Sequence, residues 1–282
     1  MTAPSIDAGI VGLTVAPLAC VLDARWLMAY AAAVGETDAR YYDTTAPGGP
    51  VAHPLFPVCY EWPAALALRA KSIDTALAPL GVHALHKLIL HRGPRAGDSL
   101  RTSAQVTAVE RRPSGTLVVA RFTTVDRTGV PVSTTDYGSL YRGVTLQGEP
   151  AGPSWEPREP VAEGVRWTEP VDVSLQAAHV YTEGARIYNP IHTDIAAART
   201  AGLPGLILHG TATLALAVSR VVTRDLGGDP TAVREVAGRF TGMVPLPSRL
   251  TVRGRAASVE GLAFDAVDAG GRAVLSDGLV CR

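Results

Sequence analysis

One order of elements occurs twice in this chain of 282 residues, and that repetition constrains its fold more than any single motif. Asp23 stands where it can cap a helix carrying Leu27, Tyr30, Ala31 and Val34 at helical spacing, with Gly35 as its stop. A polar loop rich in Gly and Pro follows over Glu36 to Pro50. The apolar segment Val51 to Leu68 then predicts a buried helix from Tyr60 or Trp62 onward. Four runs rich in Val, Thr and Leu come next: Leu85 to His91, Ser99 to Arg111, Thr116 to Asp126 and Val130 to Tyr141. Turn residues such as Pro113-Ser114-Gly115 separate them, as in antiparallel hairpins. The order returns past the midpoint: a helix over Ser174 to Arg186, a loop through Asp194 and a buried helix over Gly210 to Thr223. Strands follow near Val233 to Thr241, Ser248 to Val259, Leu262 to Asp268 and Arg272 to Cys281. Between the halves, Gln147 to Gly164 holds Pro150, Pro153, Pro157 and Pro160 with little periodicity, the composition of a linker. Duplication of one α+β unit explains the pattern, with repeats over residues 1–146 and 165–282 joined by 147–164. Anchoring Asp43 on Asp194 sets Asp38 opposite Asn189, Tyr41 opposite His192 and Glu36 opposite Ile187. Anchoring Pro54 on Pro204 sets Cys59 opposite His209.

Lys+Arg and Asp+Glu both number 26, so no net field draws the chain to nucleic acid or an anionic membrane. The three cysteines, Cys20, Cys59 and Cys281, lack a CxxC spacing and suggest neither a disulfide framework nor a zinc site. No run approaches the ~20 apolar residues of a membrane span, and the start lacks a basic segment leading into an apolar one. A cytoplasmic protein is expected. Phosphate-binding Gly-rich loops, HExxH helices and GxSxG elbows are absent from the sequence, which disfavours those chemistries.

Chemistry concentrates in Tyr188-Asn189-Pro190-Ile191-His192-Thr193-Asp194. Pro190 bars continuation of the preceding helix and stiffens the backbone, while Asn189 can hydrogen-bond it locally, so His192 is presented in a fixed direction, as acid-base work requires. Beyond a Leu-Pro-Gly turn at 203–205, His209-Gly210 opens the second buried helix. Gly210 admits a ligand close to the backbone, and the unpaired N–H groups of the helix start could bind a carbonyl oxygen. The competing reading is that Gly210 serves packing alone. His209 is a substrate contact or a capping side chain, and His83, His86, His91 and His179 read as structural.

The stretch at 188–194, followed by Gly-Leu-Pro-Gly-Leu-Ile-Leu-His-Gly-Thr at 202–211, resembles the hydratase motif of the MaoC-like (R)-specific enoyl-CoA hydratases and 3-hydroxyacyl dehydratases. The duplicated plan resembles their fused form, an α+β double hotdog in which each long helix is wrapped by an antiparallel sheet. The resemblance implies a lyase on acyl thioesters without a cofactor, with His192 as acid-base group and the Gly210 amide as oxyanion donor. It assigns Tyr188, Asn189 and His209 to substrate binding, and gives the first half, with its degenerate site, to binding the substrate. A small-molecule acyl thioester is the expected partner, and a homo-oligomer the expected assembly. One departure stands out: the family's aspartate position, two residues before Asn189, holds Ile187. Glu183, one helical turn earlier, and Asp194 are the candidate substitutes. A hotdog thioesterase and a non-catalytic acyl-binding subunit are the alternatives.

Overall fold

Residues rich in Val, Thr and Leu fill the later part of each half, and nearly all of them join one sheet. The structure, a computed structural model, describes residues 4–155, 164–258 and 261–282. The first half runs β1 (Ser5–Asp7), β2 (Thr14–Val21), α1 (Ala24–Ala33), α2 (Pro57–Ser72), β3 (Gly81–Leu90), β4 (Ser99–Arg112), β5 (Gly115–Asp126), β6 (Pro131–Arg142) and β7 (Thr145–Gln147). The second runs β8 (Val165–Val173), α3 (Ala177–Ala185), α4 (Ile195–Thr200), α5 (Gly210–Asp225), β9 (Glu235–Phe240), β10 (Ser248–Ser258), β11 (Gly261–Asp268) and β12 (Ala273–Cys281).

Ten strands form one antiparallel sheet in the order β2-β4-β5-β6-β3-β9-β12-β11-β10-β8, so the first half's order is repeated in mirror sequence across the β3–β9 junction. β1 and β7 make a separate parallel pair. Leu214, Ala215, Ala217, Val218 and Val221 bury α5 against the sheet, and α2 buries Val58, Cys59, Tyr60, Ala64 and Leu68. Such continuous apolar faces contribute the largest favourable share of folding free energy, about 25 cal/mol per Å² removed from water. α1 and α3 pack on each other so tightly that a Cβ on Gly184 would stand 2.6 Å from Ala33 Cβ and 2.8 Å from the Ala29 carbonyl oxygen. No helix among the described residues is long and apolar enough to cross a membrane.

The elements expected from sequence are present, with corrections. β2 and β8, absent from the expected set, are the two edges of the sheet. Each carries a proline, Pro17 or Pro170, which argues against a strand in sequence, and β2 is exposed along most of its length. α2 begins at Pro57, where a proline costs nothing in the first turn. α3 stops at Ala185 because Arg186 adopts a left-handed conformation, φ 58°. Of the linker, Ala151 bridges to Val109 and the Trp155 amide donates to Glu110 Oε1 at 2.9 Å, while 156–163 lie outside the described residues.

The two halves also register locally. Gly35 and Arg186 are both left-handed, and the next amides, of Glu36 and Ile187, donate to the carbonyls of Ala31 and Thr182 five residues back. Short 3₁₀ turns at Ala39–Tyr41 and Pro190–His192 follow. Glu36 therefore matches Ile187, and Tyr41 matches His192. α2 and α5 begin at Pro57 and Gly210, so Phe56, and not Cys59, stands opposite His209.

Candidate active site

His192 ends the 3₁₀ turn that Pro190 starts, and its own amide donates to the Asn189 carbonyl at 3.1 Å. Its Nδ1 lies 2.8 Å from the Ile207 carbonyl oxygen. Because a carbonyl only accepts, Nδ1 carries the proton and Nε2 keeps a free lone pair. Ile207 is held in turn by an isolated bridge to Pro245, and the neighbouring Leu208 amide donates to Val244. Burial lowers the His192 pKa to about 4, so the ring is neutral at pH 7.

His209 stacks on His192 with ring centroids 3.7 Å apart, and its Nε2 lies 3.2 Å from Thr182 Oγ1. Its Nδ1 has no hydrogen-bond partner of good geometry, although the Ile187 carbonyl is near enough to favour protonation. Burial, then the neighbouring His192, hold its pKa well below the usual value. His209 also occupies the cap position of α5 without a side-chain cap bond, which makes it a ring platform for His192.

Gly210 is the first residue of α5. The Thr213 amide already donates to the His209 carbonyl, which leaves the amides of Gly210, Thr211 and Ala212 ahead of the helix's first bond to a residue four earlier. Phe240 sits 3.3 Å from where a Gly210 Cβ would be, so the glycine serves both close packing and access to its backbone. Thr211 accepts a hydrogen bond from Tyr181 at 2.9 Å, which anchors this end of the helix.

His192, His209, Gly210, Asn189 and Ile187 all line one cavity of about 160 Å³. The other assigned residues do not. Tyr188 is 59% exposed and points its hydroxyl toward Glu183 at 3.5 Å. Glu183 is exposed because α3 ends before Ile187 and the two do not share a helical face. Asp194 caps α4 by accepting from the Ala196 and Ala197 amides at 2.8 and 3.3 Å. Neither carboxylate reaches the cavity, and Ile187 stands on its wall, 5% exposed.

The first half supplies the rest of the wall, including residues not singled out in the sequence. Val58, Glu61, Trp62, Ala65 and Arg69 form one stripe along α2. From β3 come His83 and His86, which read as structural in the sequence; both line the cavity. A register shift between His83 and Leu85 turns the two rings to the same side, 5.3 Å apart. Tyr137 stacks on His83 at 3.7 Å. Glu61 had a signal available: a carboxylate inside an otherwise apolar helical run. A smaller cavity of about 50 Å³ shares Trp62, Phe122 and Tyr137 with the first and continues it along Leu68, Ile73, Val106 and Val118.

The matching place in the first half is closed. Glu36 Oε1 lies 2.5 Å from Ser219 Oγ, and His53 Nε2 3.1 Å from the same oxygen. The Leu55 amide donates to His53 Nδ1, so Nε2 carries the proton toward Ser219. Glu36, Tyr41 and His53 lie outside both cavities.

A continuous sheet wrapping two helices, one per half, is the double hotdog arrangement. A MaoC-like dehydratase from Phytophthora capsici superposes with a TM-score of 0.85 at 21% identity, over 96% of this chain and 95% of that one. A Mycobacterium tuberculosis protein described as having a double hotdog fold superposes at 0.60 and 17% identity, over 94% of each chain. Residues 158–267 match the MaoC like domain, and residues 9–135 match the FAS1-like dehydratase domain region. The second half is thus similar to a MaoC like domain, and the first to a FAS1-like dehydratase region. Peroxisomal enoyl-CoA hydratase 2 of Arabidopsis thaliana is 47% identical over 53 residues, a match spanning 19% of this chain and 17% of the plant protein.

Proposed function

We propose that the protein is a hydro-lyase that adds water to, or removes it from, the 2,3-position of an acyl thioester such as an enoyl-CoA. The observation that carries this reading is that His192, with its Nε2 lone pair free, and the Gly210 end of α5 line the same cavity. In the hydration direction, Nε2 takes a proton from water as the water oxygen bonds C3. The electron pair of the double bond moves toward the thioester oxygen, which the Gly210 N–H stabilises as it gains charge. The enolate then takes the proton from His192 at C2, which restores the neutral ring. Every proton is accounted for by one side chain, as it must be where Ile187 stands in the place of an acid. The reaction moves only water and protons and calls for no cofactor.

Residues 1–146 supply the acyl-binding repeat, 147–164 the connection and 165–282 the catalytic repeat. The Glu36–Ser219–His53 bonding occupies the first half's corresponding place and leaves one working site. A cytoplasmic location and a homo-oligomeric assembly belong to the same reading. The test is incubation with crotonyl-CoA and longer 2-enoyl-CoAs: loss of enoyl absorbance with 3-hydroxyacyl-CoA formed supports it. Release of free thiol instead makes the protein a thioesterase, and no turnover of either kind removes the lyase assignment for simple acyl-CoAs.

A further inference from the structure

Two polar side chains on the cavity wall have bonding capacity that the protein does not use. Glu61 is buried on α2, and its Oε1 accepts from Thr135 Oγ1 at 2.7 Å and Ser133 Oγ at 3.3 Å. Its Oε2 has no protein partner among the described residues, yet it is not among the sealed, unpaired atoms. His86, from β3, is fully buried, and its two ring nitrogens are unpartnered but sealed, so they do not open on the cavity. Both residues line the cavity that holds His192. Buried polar groups are normally bonded, so the open Oε2 on the cavity wall points to a bond made with its occupant.

Their place along the cavity says which part of the occupant they meet. A thioester carbonyl at Gly210 directs its acyl chain toward the first half, past Glu61 and His86. Beyond them the smaller cavity is walled by Leu68, Ile73, Val106 and Val118. A plain alkyl chain suits that far end and leaves Oε2 desolvated without a partner in the middle. The group that suits the middle is neutral and gives a hydrogen bond. Burial holds His83 and His86 in their neutral forms, and Arg69 is the only cation among the residues lining this part, so a fixed positive charge on the chain has Glu61 alone to favour it.

We propose that Glu61 recognises a hydroxyl carried in the middle of the acyl chain. The hydroxyl donates to Glu61 Oε2. Glu61 is a specificity residue, outside the reacting atoms. This inference rests on the acyl-thioester reading above.

The test uses saturated acyl-CoAs, which bind without reacting: a plain chain, counterparts of equal length hydroxylated at successive middle carbons, and one bearing an ammonium group. Calorimetric binding to the full-length protein is expected to favour one hydroxylated position over the plain chain by about 10-fold or more. Glu61→Leu should abolish that preference with its fold intact by circular dichroism. Glu61→Gln, which keeps an acceptor for Ser133 and Thr135, should retain part of the preference and guards against misfolding of the leucine variant. Equal binding of plain and hydroxylated chains, or a preference that survives Glu61→Leu, overturns the proposal and leaves the lyase reading standing. Tightest binding of the ammonium chain overturns the hydroxyl assignment in favour of an ion pair. Binding of no acyl-CoA overturns the acyl-thioester reading, and this inference with it.

Discussion

His192 owes its protonation state to two neighbours of different kinds: the Ile207 carbonyl selects the tautomer, and burial keeps the ring neutral. Hydration needs the Nε2 lone pair, so activity depends on the deprotonated ring. With a pKa near 4, kcat/KM for a plain 2-enoyl-CoA should stay flat from about pH 7 down to about 5 and fall as the ring protonates below that. A profile that falls through about 6.5, the ordinary histidine value, would show a solvated ring instead. Glu61 makes the opposite prediction for stability. Burial raises its carboxyl pKa from 4.5 to about 7, so the folded state favours the protonated form. The stability this contributes is complete below about pH 4.5 and is lost as pH rises through about 7. Glu61→Gln removes the titration. Measured by urea unfolding at about pH 5 and about pH 8, the variant should gain on the parent by up to about 3 kcal/mol between the two.

At the scale of elements, the tightest joint is that between α1 and α3. A methyl at Gly184 meets a backbone oxygen at 2.8 Å, which no rotamer change relieves. Gly184→Ala should therefore cost about 1–3 kcal/mol, seen as a lower Tm, with the Nδ1 contact of His192 untouched. The helices and central strands were legible in the sequence because their cues are local: Asp23 does cap α1, its Oδ1 2.7 Å from the Trp26 amide, and alternation runs through β4. The edge strands were not, because an edge needs less burial and tolerates Pro17 and Pro170. The end of α3 falls where the sequence sets it, at Arg186, but that residue's left-handed turn, a conformation the sequence assigns by default to glycine as at Gly35, has no local cue. That one residue removes Glu183 from the site. His192, Asn189 and Gly210 were legible because they lie within one motif, whereas His83 and His86 reach the cavity only through pairing of β3 with β6, which no local pattern records, and Glu61 shows only as a carboxylate in an apolar helical run.

For the whole molecule, duplication made a cavity that neither half encloses alone: one supplies His192 and the α5 amides, the other the stripe of α2 and the face of β3. The second half has Ile187 where the first has an acidic residue, Glu36, which is tied to Ser219. Restoring a carboxyl by Ile187→Asp puts a second acid-base group beside His192. If the native reaction is hydration by one group, enoyl-CoA turnover should rise by about 10-fold or more, since such groups typically contribute 10²- to 10⁴-fold. The most direct test of His192 itself is the steady-state rate of 2-enoyl-CoA hydration by the purified protein and by His192→Ala, followed by enoyl absorbance. The variant should lose about 100-fold or more in kcat with its fold intact by circular dichroism. An unchanged rate would show that the reaction does not pass through His192.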